Sequence, residues 1–140
     1  MRNGANGLIN TGNGNDVVKG VGNRRQGIVN FGIIKTGSGD DVVTGYSTDS
    51  TEYGIRNTGL IDTGSGNDVV DAGIVGFEEG AGVVILGDGH DVLKGFGTGL
   101  FDSERGSDML QLWKGVSTIE GSKITHNEIN MNAVSIEKIG

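Results

Sequence analysis

Four aspartates close the same phrase each time it occurs in the 140-residue chain. The phrase reads Thr11-Gly12-Asn13-Gly14-Asn15-Asp16-Val17-Val18, then Thr36-Gly37-Ser38-Gly39-Asp40-Asp41-Val42-Val43. It returns as Thr63-Gly64-Ser65-Gly66-Asn67-Asp68-Val69-Val70 and as Leu86-Gly87-Asp88-Gly89-His90-Asp91-Val92-Leu93. A weaker fifth copy runs Ser103-Glu104-Arg105-Gly106-Ser107-Asp108-Met109-Leu110, with Ser103 and Arg105 in place of turn glycines. Glycines such as Gly12 and Gly14 let a backbone turn tightly and bring its carbonyls toward one spot. Carbonyl and carboxylate oxygens are the ligands that hard cations such as calcium take. Catalysis is a poor reading of these residues: catalytic groups are singular, whereas these recur. No nucleophile elbow, phosphate-binding loop or zinc-protease helix occurs, and the glycines do not fit a dinucleotide fingerprint. The chain is therefore not expected to be an enzyme. His90 and His126 are isolated and too few for a transition-metal site.

Something must bring these aspartates together. Their spacings are 25, 27, 23 and 17 residues. Before each copy stands a glycine with two apolar residues: Gly7-Leu8-Ile9, Gly32-Ile33-Ile34, Gly59-Leu60-Ile61, Gly82-Val83-Val84 and Gly99-Leu100-Phe101. Glycine every few residues excludes an α-helix. Short apolar strands between turns, repeated at this period, point to a solenoid. A coil of two nine-residue halves accounts for 18 residues. The surplus falls at one corner, in inserts at Gly20–Gln26, Gly45–Tyr53 and Ala72–Gly76. Strand residues alternate faces. Val18, Val43, Val70, Leu93 and Leu110 are expected inside, facing Ile9, Ile34, Ile61, Val84 and Phe101, which gives a thin core of about two side chains per coil. Val17, Val42, Val69, Val92 and Met109 would face outward with Leu8, Ile33, Leu60 and Val83, leaving two apolar ladders outside. Asn30 and Asn57, at matching positions, are candidates for a hydrogen-bonded ladder. Asn15, Asp40, Asn67 and His90 read as solvated side chains or carbonyl suppliers. Asp49, Asp62, Glu52, Glu78 and Glu79 read as solvated loop charges.

Stacking also sets an electrostatic problem. Parallel strands lie about 4.8 Å apart. One aspartate per coil at one register makes a column of carboxylates, and neighbours at that distance repel by roughly 1 kcal/mol even in bulk water. A cation between coils reverses the sign, so it would contribute to folding itself.

The phrase resembles the calcium-binding nonapeptide of the repeats-in-toxin, or haemolysin-type, family: glycine-glycine-x-glycine-x-aspartate-x-apolar-x. The resemblance covers roughly residues 2 to 111. It departs from the family where Thr11, Thr36, Thr63 or Leu86 replaces the first glycine, in the alternate nonapeptides that lack aspartate, and in the inserts. It implies an all-β, right-handed parallel β-roll or β-helix of about five coils, with calcium between equivalent turns of successive coils. The implied ligands are Asp16, Asp41, Asp68 and Asp91 with the turns of Gly12, Gly14, Gly37, Gly39, Gly64, Gly66, Gly87 and Gly89, and Asp108 in the fifth motif. The weakness of that last motif leaves about three sites as the expectation.

Composition agrees with a turn-rich module that needs help to stay folded. Glycine accounts for 28 residues and proline for none, and apolar residues make up 34%. So little apolar material cannot build a thick core. A net charge of −7 disfavours nucleic acid and anionic membranes as partners and favours cations. There is no cysteine, and no stretch long enough to span a bilayer or serve as an N-terminal signal. Residues 1–111 are thus expected to form the repeats. Residues 112–140, with Leu112, Trp113, Ile119, Ile124, Ile129, Val134, Ile136 and Ile139, are expected to form a β-strand cap. The expected role is a calcium-stabilised structural module, extracellular or at the cell surface and exported without a cleaved N-terminal signal. The alternative is a calcium-dependent self-assembling surface or matrix filament, or an adhesin-type binder; a homo-oligomer belongs to that alternative.

Overall fold

A computed structural model describes the chain except residues 79–81, 113–116, 121–122, 127–128 and 137; of residues 117–120, 125–126 and 129 it describes the backbone. The described residues form strands joined by turns, with no helix. The first coil contains β1 (Arg2–Asn3), β2 (Leu8–Asn10) and β3 (Val17–Gly22). The second contains β4 (Ile28–Asn30), β5 (Ile33–Ser38) and β6 (Val42–Ser47), and the third β7 (Ile55–Asn57), β8 (Leu60–Ser65) and β9 (Val69–Asp71). The fourth contains β10 (Phe77–Glu78), β11 (Val83–Ile85), β12 (Asp88–Gly89) and β13 (Val92–Lys94), and the fifth β14 (Leu100–Asp102), β15 (Arg105–Gly106) and β16 (Met109–Gln111). Beyond them lie β17 (Ser117–Glu120), β18 (Lys123–His126), β19 (Ile129–Val134) and β20 (Lys138–Ile139).

Equivalent strands stack in register into three parallel sheets. One has the order β1-β4-β7-β10, the second runs from β2 through β5, β8, β11 and β14, and the third has the order β3-β6-β9-β13-β16-β20. The expected parallel β-solenoid of about five coils is therefore the fold. Its cross-section has three sides, one more than a two-sheet roll. The additional side is the short sheet of β1, β4, β7 and β10, whose strands follow the expected inserts and precede the paired apolar residues of the second sheet. Gly20–Gly22 and Gly45–Ser47 are not loop: they continue β3 and β6 and pair residue by residue. Gly20 must be glycine because a Cβ there would collide with the backbone of Gly27 and the side chain of Ile28.

A third side changes the core. Val18, Val43, Val70, Leu93 and Leu110 are buried as expected, as are Ile34, Ile61, Val84 and Phe101. Ile28, Ile55 and Phe77 fill the interior from the first sheet, with Phe77 set edge-to-face against Phe101 at 5.0 Å between ring centroids. The second coil alone sends Ile28, Asn30, Ile34, Thr36, Asp41 and Val43 inward, so the thin core of two side chains per coil is corrected. Its polar members are tied into ladders. Asn3 Nδ2 donates to Asn30 Oδ1 at 2.9 Å and Asn30 Nδ2 to Asn57 Oδ1 at 2.8 Å. The hydroxyls of Thr11, Thr36 and Thr63 donate to the carbonyls of Thr36, Thr63 and Leu86. Outside, Leu8 and Val17 of the first coil are 62% and 67% exposed, while Leu60, Val69, Val83 and Val92 are only half-buried because rungs above and below cover them.

At the C-terminal end, β19 pairs parallel with β14 and antiparallel with β18, which pairs antiparallel with β17; β20 pairs with β16. Ile124, Met131 and Ala133 of these strands are buried with the core. Trp113 and Glu79, singled out in the sequence, lie outside the described residues, as do the side chains of Ile119, His126 and Ile129.

Candidate metal centre

The turn that joins the second and third sheets carries the aspartates. Gly12, Gly14, Gly37, Gly39, Gly64, Gly66 and Gly87 all have positive φ, between 93° and 137°. A Cβ on Gly37 would run into the carbonyl of Gly12, and one on Gly39 into that of Gly14. Only glycine allows such turns to stack this closely. Gly89 differs: it lies in β12, pairs with Gly106 and lacks the positive φ of its counterparts.

The stack brings Asp16, Asp41, Asp68, Asp91 and Asp108 into one column. Asp41, Asp68, Asp91 and Asp108 are at most 1% exposed. Each uses Oδ1 in the same way. The N–H of Asp16 donates to Asp41 Oδ1 at 2.8 Å, Asp41 to Asp68 at 2.8 Å, Asp68 to Asp91 at 2.7 Å and Asp91 to Asp108 at 2.9 Å. The second oxygens of Asp16, Asp41, Asp68 and Asp91 are buried without a hydrogen-bond partner. A buried polar atom left without a partner costs free energy and calls for an explanation. The electrostatics agree. Burial pushes the Asp91 carboxyl up to about 7, against the backbone N–H of Asp68 that holds it down, and the charges of Asp68, Asp108 and Asp88 raise it further. Burial likewise pushes Asp68 above the ordinary carboxylate range.

These oxygens fit a hard cation. Among the described residues no three Asp, Glu or His side chains form a group that could hold a metal ion by themselves. A cation here would draw on carboxylates of adjacent coils and on backbone carbonyls, a donor set suited to calcium. The turn carbonyls are not all aimed at one spot. The carbonyl of Gly12 accepts from the N–H of Ser38 at 3.1 Å, and those of Ser38, Ser65 and Asp88 accept from Gly14, Gly39 and Gly66. Much of the turn's backbone is therefore spent on coil-to-coil bonds, and the carboxylate oxygens are the orphans.

A second ladder on the same turn was not legible beforehand. Asn15, Asp40 and Asn67 accept through side-chain oxygens from the N–H groups of Asp40, Asn67 and His90, at 2.8 to 3.0 Å. His90 Nδ1 accepts from the N–H of Ser107 at 3.1 Å. These four side chains are exposed, in keeping with the reading of them as solvated groups, and they also cap the next coil's backbone, a role that reading did not include. The signal was present: every residue in that column carries a short side-chain acceptor. No model of a known protein family, no curated protein and no solved structure matches the chain.

Proposed function

We propose that the chain is a calcium-binding structural module of the repeats-in-toxin kind, working outside the cell, whose folding is stabilised by calcium held between successive coils. The observation that carries this reading is the column of buried aspartate oxygens without hydrogen-bond partners at Asp16, Asp41, Asp68 and Asp91. Left alone, the column is a liability, because buried like charges oppose folding. Calcium supplies the missing positive charge, and it binds oxygen donors at backbone carbonyls and carboxylates alike. Because the site exists only when coils are stacked, binding is folding free energy. Extracellular calcium modules work at about 0.1–1 mM affinity, which suits a protein that stays loose where calcium is scarce and sets where it is abundant.

The test is a calcium titration of chelator-treated protein, followed by far-ultraviolet circular dichroism. A gain of β-structure or a rise in the thermal midpoint, saturating in the submillimolar to millimolar range and not reproduced by magnesium, is expected. A midpoint identical in chelator and in 5–10 mM calcium would mean that the aspartates only close turns, and the reading fails.

A further inference from the structure

We propose that the insert corner of the solenoid, between the second and third coils, is a docking cleft for one long basic side chain, arginine or lysine, of a partner polypeptide. The cleft follows from unequal strands. β6 pairs with β3 as far as Ser47 with Gly22, but with β9 only as far as Thr44 with Asp71. There the third coil turns aside: Gly73 has φ 68°, and its N–H donates to Asp71 Oδ1 at 2.9 Å. No strand of the third coil therefore lies beside Tyr46 and Ser47. The space between the two inserts is a cleft of about 230 Å³, walled by Tyr46, Ala72, Ile74 and Val75. Its walls include apolar surface that strand pairing leaves uncovered. Ile74 is 71% exposed, and Tyr46 lies beside Val21, its exposed partner on the first coil. Inserts in a solenoid gather on one face, and that face is often the one that binds.

Size and charge choose the occupant. Small-molecule sites run to about 300–1,000 Å³; this cleft is smaller and suits a single long side chain. Asp49 and Glu52 are the charged residues of its lining, and no lysine, arginine or histidine is among the described residues that line it. Both carboxylates are held in place. Asp49 Oδ1 accepts from the N–H and the hydroxyl of Thr51 at 3.0 and 2.8 Å, and Glu52 Oε2 accepts from Gln26 Nε2 at 3.2 Å. The bonds from Thr51 hold the Asp49 carboxyl below the ordinary carboxylate range, so it is charged at neutral pH. The Tyr46 ring already attracts a cation, with Lys19 Nζ 5.5 Å from its centroid. An aliphatic stem against Ile74 and Val75, with a cationic head at Tyr46, Asp49 and Glu52, answers walls and charges together. A neutral apolar side chain would leave both carboxylates unmatched, and an acidic one would be repelled. The net charge of −7 draws basic partners in the same sense. Nothing here rests on calcium: the aspartate turn joins the second and third sheets, whereas the cleft lies where the chain passes from the third sheet to the first.

The probe is the peptide acetyl-Gly-Arg-Gly-amide, with acetyl-Gly-norleucine-Gly-amide as control. Each is titrated into the full chain, in calcium and in chelator, and followed by amide chemical shifts. Saturable shifts at Tyr46, Ser47, Gly73 and Ile74 are expected, with the control bound at least about fivefold more weakly. Asp49→Asn combined with Glu52→Gln keeps the oxygens that accept from Thr51 and Gln26, and should weaken the arginine peptide about fivefold while the rest of the spectrum stays as it was. A norleucine peptide bound as tightly as the arginine peptide, or no shift at those amides by about 20 mM peptide, overturns the proposal. Three further arms test the other occupants. Calcium that displaces the peptide would make the cleft a metal site. Methyl glucoside that shifts the four amides where the arginine peptide does not would make it a sugar site. A dimer in sedimentation with the same amides protected would give it to a second copy. Each of these overturns the choice of occupant.

Discussion

Asp91 is where residue chemistry and stability meet. Its carboxyl is buried and pushed up to about 7, so the folded state binds its proton more tightly than an unfolded chain does. Between the ordinary carboxylate range and about 7, unfolding releases that proton. The metal-free protein is therefore most stable below about pH 4 as far as this group is concerned, and loses that contribution as pH climbs to about 7. Calcium bound as proposed would compete with the proton, and its stabilising effect should then grow over the same window. Asp91→Asn keeps an oxygen for the N–H of Asp68 and removes the charge. In chelator at pH 8 it should leave the protein as stable as the parent or raise stability by on the order of 2 kcal/mol, while shrinking the stabilisation by calcium. Urea unfolding at pH 5 and pH 8, with and without calcium, measures all of this. A chelated variant several kcal/mol less stable than the parent at pH 8 would show that the carboxylate is not a liability. The aspartates were legible because they recur at one register. The capping role of Asn15, Asp40, Asn67 and His90 was not, because it depends on the next coil's N–H lying within reach, a relation between coils that a phrase read along the chain does not contain.

Among elements, the short first sheet depends most on one side chain. Asn30 donates to Asn57 Oδ1 and to the carbonyl of Leu60, and accepts from Asn3, all inside the protein. Asn30→Ala should cost about 2 kcal/mol, since it takes the donor away from Asn57 Oδ1 and the Leu60 carbonyl. Thr58→Ala, at an exposed turn of the adjacent coil, should change stability by less than about 0.5 kcal/mol. Chemical denaturation of the two variants decides the point, and equal midpoints would remove the asparagine ladder from the forces that hold this sheet. The second and third sheets could be read from the sequence because their strands carry paired apolar residues beside a recurring turn phrase. The first could not. Its strands are two or three residues long, as in Phe77–Glu78, too short for alternation to register, and its approach is lined with glycines that elsewhere signal loops. Those glycines serve a different purpose: at Gly20 and Gly45 two sides of the coil come so close that no side chain fits between them.

For the whole molecule, the bonds that join coils run along the solenoid axis, while the chain itself circles that axis. Tension between Met1 and Gly140 would therefore open rungs one after another, as a seam opens, and would not shear them together. In the 140 residues pulled this way, the first coil pairs with the second alone and should yield first. Each event would release one coil's worth of chain, and the aspartate spacings of 25, 27, 23 and 17 residues set the lengths. At about 3.5 Å per extended residue, a single-molecule pulling record should show two long steps of roughly 90 Å and then shorter ones. One rip spanning the full contour length would instead mean that the coils fail as a single unit. Calcium between turns, as proposed, would raise the force of each step and leave its length unchanged, and the protein would then be a spring whose stiffness is set by the surrounding ion concentration.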